Sequence, residues 1–437
     1  MSIRVFGAGL AGCEAAWQIA RTGVEVELYE MKPIRYSPAH HSPNFAELIC
    51  SNSLKAERVE SAAGLLKEEM RLLGSLLMQC ADVCRVPAGG ALAVDRNNFS
   101  ETATQRISDN PLIHIHHEEI KEIPEDGITV IATGPLTADT LAGKIAALCG
   151  GSLSFFDAAA PIVAAESLDM DKVFAASRYD KGGDDAYLNC PMNKVEYECF
   201  YAALVSAERA PIHDFDAADP KVYEGCMPVE VMGQRGPDTL RFGPLKPVGL
   251  RDPKTGHRPW AVVQLRREDQ HGTLYNLVGF QTNLKFGEQK RVFGMIPGLE
   301  NAEYFRYGVM HRNTFLNSPK VLSSDYSLRE KPNLFFAGQI TGVEGYMESA
   351  SSGIMAGINA VRRLNGQSTL ILPDTTMIGA LSCYVANGSE TDFQPMGANF
   401  GVMPPIEPHI RDKKERYAAF SARSLLDLQN ILIENQR

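Results

Sequence analysis

Tryptophan is nearly absent from this 437-residue chain, with two residues, and its nine cysteines form no CxxC pair. Scattered cysteines in odd number argue against a disulfide framework or a zinc ribbon and fit a reducing, cytoplasmic setting. Cys80 and Cys84 stand one helical turn apart, but no second Cys/His pair completes a site; they read as packing residues, and no metal is expected. Long apolar runs are missing as well. Hydrophobic stretches are broken by glycine or charge, which argues against a membrane-spanning helix. The apolar start does not read as a secretory leader, because it runs into a glycine loop rather than a cleavage region. Positive charge is in deficit, with 43 Lys and Arg against 53 Asp and Glu, a formal −10 at pH 7. The deficit is uneven. Residues 235–312 carry 13 basic and 7 acidic side chains, so this stretch is +6 and the remainder −16. A basic face on an acidic protein suits a phosphate backbone; a solvated charged surface is the plain alternative.

The chain does contain 44% hydrophobic residues, enough for a large core and two or three domains. Its first residues carry the most information. Ile3 to Phe6 is an apolar strand leading into Gly7-Ala8-Gly9-Leu10-Ala11-Gly12. In such a turn Gly7 allows the tight bend, Gly9 admits a pyrophosphate to the backbone, and Gly12 lets the following helix lie close to the strand. The helix, read as Leu10 to Arg21, turns its unpaired N–H groups and positive end toward the phosphates. A second strand, Val24 to Tyr29, is closed by Glu30, 18 residues after Gly12. A carboxylate there accepts hydrogen bonds from a ribose.

Further on, a Pro/His/Ser loop spans Tyr36 to Asn44, and a long helix is expected from Ser53 to Leu77. Two more apolar strands end in small residues: Ile128 to Gly134, closing in Ala132-Thr133-Gly134, and Asn333 to Gly338, closing in Ala337-Gly338. A helix with small residues on one face should follow Gly345, starting at Tyr346. An NAD enzyme needs only the first glycine turn. A flavin dinucleotide also needs a second backbone approach, near Gly134, and a late helix aimed at the ring carbonyl where negative charge collects on reduction. FAD is therefore the expected cofactor. The fold class expected is α/β, a Rossmann-type FAD/NAD(P)-binding domain in two segments, residues 1–185 and 320–437. A mixed α+β domain of residues 186–319, rich in β-type runs and Pro/Gly turns, is inserted between them.

Several longer motifs resemble a known family. Cys50-Ser51-Asn52-Ser53-Leu54, Glu224-Gly225-Cys226-Met227-Pro228, Gly243-Pro244-Leu245-Lys246-Pro247 and Gln264-Leu265-Arg266-Arg267-Glu268 look like TrmFO. So do Asn276-Leu277-Val278-Gly279-Phe280-Gln281 and Gly338-Gln339-Ile340-Thr341-Gly342. The likeness runs from Val5 to about Asn359. Gln339 stands where many flavoproteins carry Asp, which suits TrmFO better than the wider flavoprotein set. The resemblance implies methylation of uridine C5 at position 54 of the tRNA T-loop. The carbon would come from 5,10-methylenetetrahydrofolate and the electrons from NADH or NADPH through FAD.

Uracil C5 is a poor nucleophile until a thiolate adds at C6, so an accessible cysteine is needed. Two positions qualify. Cys226, in a Gly/Pro-flanked turn, is taken as the nucleophile, and Cys50, ahead of the capping-type residues Ser51-Asn52-Ser53 at an expected helix start, as an assisting thiol. His40, His41 and Glu348 are folate candidates, and Tyr346 lines the flavin or folate. Lys246, Arg266, Arg267, Lys285, Lys290 and Arg291 are candidates for tRNA phosphates, with His311 and Arg312 as alternatives for either task. Three other readings share parts of this pattern: a related uracil-5-methyltransferase acting on another RNA site, a small-molecule flavin oxidoreductase, and a nonenzymatic flavin-binding partner.

Overall fold

The computed structural model describes residues 2–151, 153–180, 186–210, 227–391 and 393–435. Ile3–Phe6 forms the interior of a six-stranded sheet, pairing in parallel with Val26–Glu30 on one side and Thr129–Ile131 on the other. The strand order is Ser327–Leu328, Lys331–Phe336, Thr129–Ile131, Ile3–Phe6, Val26–Glu30, Ile113–His117, parallel except for the Ser327–Leu328 edge. Parallel strands are covered on both faces, which accounts for near-continuous apolar runs such as Thr129–Ile131, all buried.

Helix Leu10–Ala20 lies against the late helix Tyr346–Leu364, and the small-residue face anticipated for the latter makes this contact. A Cβ on Gly353 would collide with the Ala11 carbonyl oxygen, and one on Gly357 would stand 2.7 Å from that of Ala15. The expected long helix from Ser53 to Leu77 is instead a strand, Ser53–Ala56, and two helices, Ala62–Leu72 and Leu76–Val83. Ser53–Ala56 pairs with Ala91–Val94. Ser61 then opens the first helix by accepting from the Gly64 N–H, and Ser75 opens the second by accepting from Met78. Cys80 and Cys84 are buried, and burial pushes the Cys80 thiol up to about 12.

A second sheet is antiparallel, in the order Phe174–Ala175, Tyr187–Met192, Ala261–Arg267, Leu274–Leu277, Ile162–Ala164, Tyr304–Arg306. Helices Lys194–Ser206 and Phe286–Phe293 contribute to its own core around Phe200, Leu265, Phe280 and Phe293. Two of these strands precede residue 186. The sheets are bridged by a two-stranded ladder in which Leu153–Ala158 runs antiparallel to Met310–Phe315. His311 and Arg312 belong to this ladder, opposite Asp157 and Phe156; their side chains lie outside the described residues.

Candidate active-site cleft

Above the ends of the parallel strands lies a cleft of about 500 Å³. It is lined by Gly7, Ala8, Gly9, Leu10, Ala11, Glu30, Gly134, Gly338, Gly345 and Tyr346, ten of the eleven positions expected to hold a dinucleotide. Gly12 is the eleventh, and it serves packing: a Cβ there would run into the Gly7 carbonyl oxygen. Gly9 differs. Nothing lies within 4 Å of where its Cβ would stand, so the space over this residue belongs to the cleft. Glu30 is 8% exposed, and its carboxylate is fixed by accepting the Ala8 N–H at 2.8 Å and the Lys32 N–H at 3.0 Å. A pyrophosphate over Gly9 and a ribose beside Glu30 suit these features. The late helix opens onto the cleft with its whole first turn, Tyr346 to Ser349. The N–H groups ahead of Ser349, which bonds back to the Gly345 carbonyl at 2.9 Å, have no partner within the helix, and the dipole end there is positive.

Cys50 also lines the cleft. The residues after it form a strand, so the helix end expected to face its sulfur is not there. The Cys50 loop is held in other ways. The Tyr346 hydroxyl accepts both the Cys50 N–H, at 2.7 Å, and the Ser51 N–H, at 3.0 Å. Burial, followed by the nearby Cys50, raises the Tyr346 phenol above its ordinary range, so it stays protonated. The Cys50 thiol donates to the Ala158 carbonyl at 3.7 Å, and Arg306 donates to the Cys50 carbonyl at 3.2 Å. Arg306 is largely desolvated; burial, then neighbouring Arg96, lowers its guanidinium to about 10. Arg96 pairs with the buried Glu268 carboxylate at 2.9 Å. Two guanidiniums thus lie within electrostatic reach of Cys50.

Arg266 requires a correction. It is not a surface phosphate contact but 7% exposed, donating to the Asn52 side chain at 2.9 Å and the Ser51 hydroxyl at 2.7 Å. Asn52 in turn donates to the carbonyls of Val94 and Arg267. The cationic motif of the second sheet therefore clamps the Cys50 loop, and Arg267 is half-buried beside it. Lys246, Lys285, Lys290 and Arg291 are exposed; Lys285 pairs with Glu208 and Arg291 with Glu288.

Of the folate candidates, His40 lines the cleft, hydrogen-bonded to the Ser37 hydroxyl at 2.6 Å. Burial, aided by Lys32, lowers its imidazole below the usual value and keeps it neutral. His41 is exposed and does not line the cleft. Glu348 is 1% exposed, and its Oε1 accepts from Lys55 at 2.7 Å and from the Ala398 N–H at 3.0 Å. Its Oε2 has no hydrogen-bond partner among the described residues. Lys55, Gln281 and Asn313 line the cleft and escaped the sequence reading. Lys55 adopts φ 65°, a conformation no local pattern announces. Lys67, fully buried, donates to the Leu54 and Ala63 carbonyls at 2.7 Å, and burial lowers its ammonium to about 8. Cys226 lies outside the described residues. Close after it, Val229 donates its N–H at 2.7 Å to the carbonyl of the cleft residue Gln281.

This fold and cleft define a dinucleotide-binding α/β protein with an antiparallel unit inserted into its chain. Residues 2–368 match the family described as Glucose inhibited division protein A. A Desulfitobacterium hafniense protein, "Methylenetetrahydrofolate--tRNA-(uracil-5-)-methyltransferase TrmFO", is 61% identical over 98% of both chains. Proteins of the same name from Acetivibrio thermocellus (60%, 97% of both chains) and Lactobacillus gasseri (58%, 100% of this chain and 99% of that one) are similarly close. The chain belongs to the TrmFO family. Aquifex aeolicus GidA superposes with a TM-score of 0.70 over 99% of this chain and 75% of its own, at 16% identity, a likeness of fold.

Proposed function

We propose that this chain methylates C5 of a tRNA uridine, at position 54 of the T-loop, with carbon from 5,10-methylenetetrahydrofolate and electrons from NADH or NADPH through FAD. The observation that carries this reading is 61% identity over 98% of both chains to a protein named for the folate-dependent reaction. The cleft supports it independently. Gly9, Glu30 and Gly134 would hold the dinucleotide, and the first turn of the late helix would meet its ring. Held there, a flavin would supply the hydride that completes the methyl group.

The chemistry of the chain's own residues follows from the weakness of uracil C5. A cysteine thiolate adds to C6 and places electron density on C5, which then attacks the folate methylene carbon. Loss of the C5 proton with cleavage of the bond between the methylene carbon and the folate nitrogen expels tetrahydrofolate and leaves an exocyclic methylene. Its reduction to a methyl group would then expel the thiolate from C6 and restore the C5–C6 double bond. Because the electrons come separately, tetrahydrofolate is the product. We assign Cys226 as the nucleophile and Cys50 as the assisting thiol, whose loop is stabilised by Tyr346, Arg266 and Arg306. His40 is the folate contact we favour, because its neutral, half-buried imidazole lines the cleft. The inserted unit, placed between Ala158 and Met310, presents Lys246, Lys285, Lys290 and Arg291 toward RNA. The setting is cytoplasmic; no helix of the described residues is long and apolar enough to cross a membrane.

Cys226→Ala tests the assignment. The variant should keep its flavin and bind tRNA, yet neither methylate it nor trap RNA containing 5-fluorouracil as a covalent adduct. Methylation near the wild-type rate would move the nucleophile to Cys50.

A further inference from the structure

Three aromatic rings on the inserted unit are stacked on one another, running from half-buried Tyr304 and Tyr307 out to an exposed Phe286. Phe286 opens helix Phe286–Phe293 and is 54% exposed. Its ring lies 4.7 Å from that of Tyr307 at an interplanar angle of 17°, and Tyr307 lies 4.7 Å from Tyr304 at 8°. The stack is braced from beneath. The Tyr304 hydroxyl donates to the Gln289 carbonyl at 3.3 Å. The buried Gln289 side chain donates to the Leu284 and Gly308 carbonyls, both at 2.7 Å, and accepts the Gly308 N–H at 2.8 Å. The turn carrying Tyr307 is therefore fixed to the helix carrying Phe286. The rings are also tied to the cleft, because Arg306, next to Tyr307, donates to the Cys50 carbonyl.

We propose that the Phe286–Tyr307–Tyr304 stack is a platform on which one unpaired base of the RNA substrate lies while its neighbour enters the cleft. The proposal rests on the RNA-methylating function given above and adds the element that receives the displaced strand. Two physical arguments support it. A base that undergoes chemistry at C5 inside a cleft must leave its own stack, which exposes the neighbouring base faces. Every base has a π-face, and a preformed aromatic stack offers it a partner without requiring a particular sequence. Charge alone would not single out this place. Lys290 is exposed beside the stack, but Glu208 and Glu288 offset Lys285 and Arg291. The rings, rather than the cations, identify the ligand as an unpaired base.

The test compares flavin-loaded wild type, Phe286→Ala and Phe286→Tyr in binding a labelled, unmodified tRNA transcript across a salt series. Phe286→Ala should weaken binding roughly 5- to 100-fold, the range for loss of one base stack. Phe286→Tyr should restore it. The slope of log affinity against log salt should stay unchanged, because no phosphate contact is lost. Flavin content and molecular mass should match the wild type. If wild type binds tRNA and Phe286→Ala binds equally well, the platform is wrong and the function stands. A Phe286→Ala protein that changes its oligomeric mass with RNA affinity intact makes the surface a protein contact and overturns the proposal. Wild type without tRNA affinity overturns the function and the platform together.

Discussion

Gly9 and Gly12 belong to one short motif and do different work. Nothing stands within 4 Å of a Cβ on Gly9, whereas one on Gly12 meets the Gly7 carbonyl oxygen. Gly9→Val should therefore fold with nearly the Tm of flavin-free wild type but purify without flavin colour, and Gly12→Ala should fall below that Tm as well as lose cofactor. A Gly9→Val protein that keeps its full flavin absorbance would contradict the placement of the pyrophosphate. Glycines of this kind are readable in a sequence because the absent side chain is itself the requirement. Arg266 was not readable. In a net-positive stretch, a guanidinium that meets solvent and one folded under a loop 214 residues away look the same. The same holds for Arg306 and Lys55, whose partners, Cys50 and Glu348, come from distant parts of the chain.

Strands and helices around the nucleotide turn followed from periodicity: Leu10–Ala20 and Val26–Glu30 lie within two residues of their expected limits, while Thr129–Ile131 stops three residues before Gly134, where the chain turns to line the cleft. The stretch from Ser53 did not, because its Leu, Glu, Lys and Ala content favours a helix while its pairing partner, Ala91–Val94, lies far along the chain. Two buried carboxylates then join helices across the molecule. Glu14 accepts the Leu76 and Leu77 N–H groups at the start of Leu76–Val83. Glu69 accepts those of Met377 and Ile378 at 2.7 and 2.8 Å, together with the Ser424 hydroxyl. Burial raises both carboxyls to about 7 despite these donors. The folded protein then holds protons that the unfolded chain has released above its ordinary carboxylate range. The contribution to stability is full below about pH 4.5 and is lost as pH rises toward 7. Thermal unfolding across this interval should show Tm falling with pH through these two groups, and the Glu14→Gln/Glu69→Gln double variant should flatten that component. Glu69→Ala should cost roughly 2–4 kcal/mol by stranding buried N–H groups. A double variant with an unchanged pH profile would refute the linkage.

The arrangement as a whole separates two tasks. The parallel sheet builds the dinucleotide cleft, and the antiparallel unit, reached through the ladder of Leu153–Ala158 and Met310–Phe315, brings Arg266, Arg306 and Gln281 to its edge. The C-terminal helices Met377–Asn387 and Lys413–Asn435, beyond the family match at residue 368, are secured to helix Ala62–Leu72 by Glu69. The central claim joins the two tasks in one reaction, and one assay addresses it directly. The purified, flavin-loaded protein is given unmodified tRNA, a reduced nicotinamide nucleotide and 5,10-methylenetetrahydrofolate labelled in its methylene carbon. The account predicts label in 5-methyluridine at position 54, with tetrahydrofolate as co-product. Absence of label from the tRNA, with the flavin bound and the RNA bound, would contradict it.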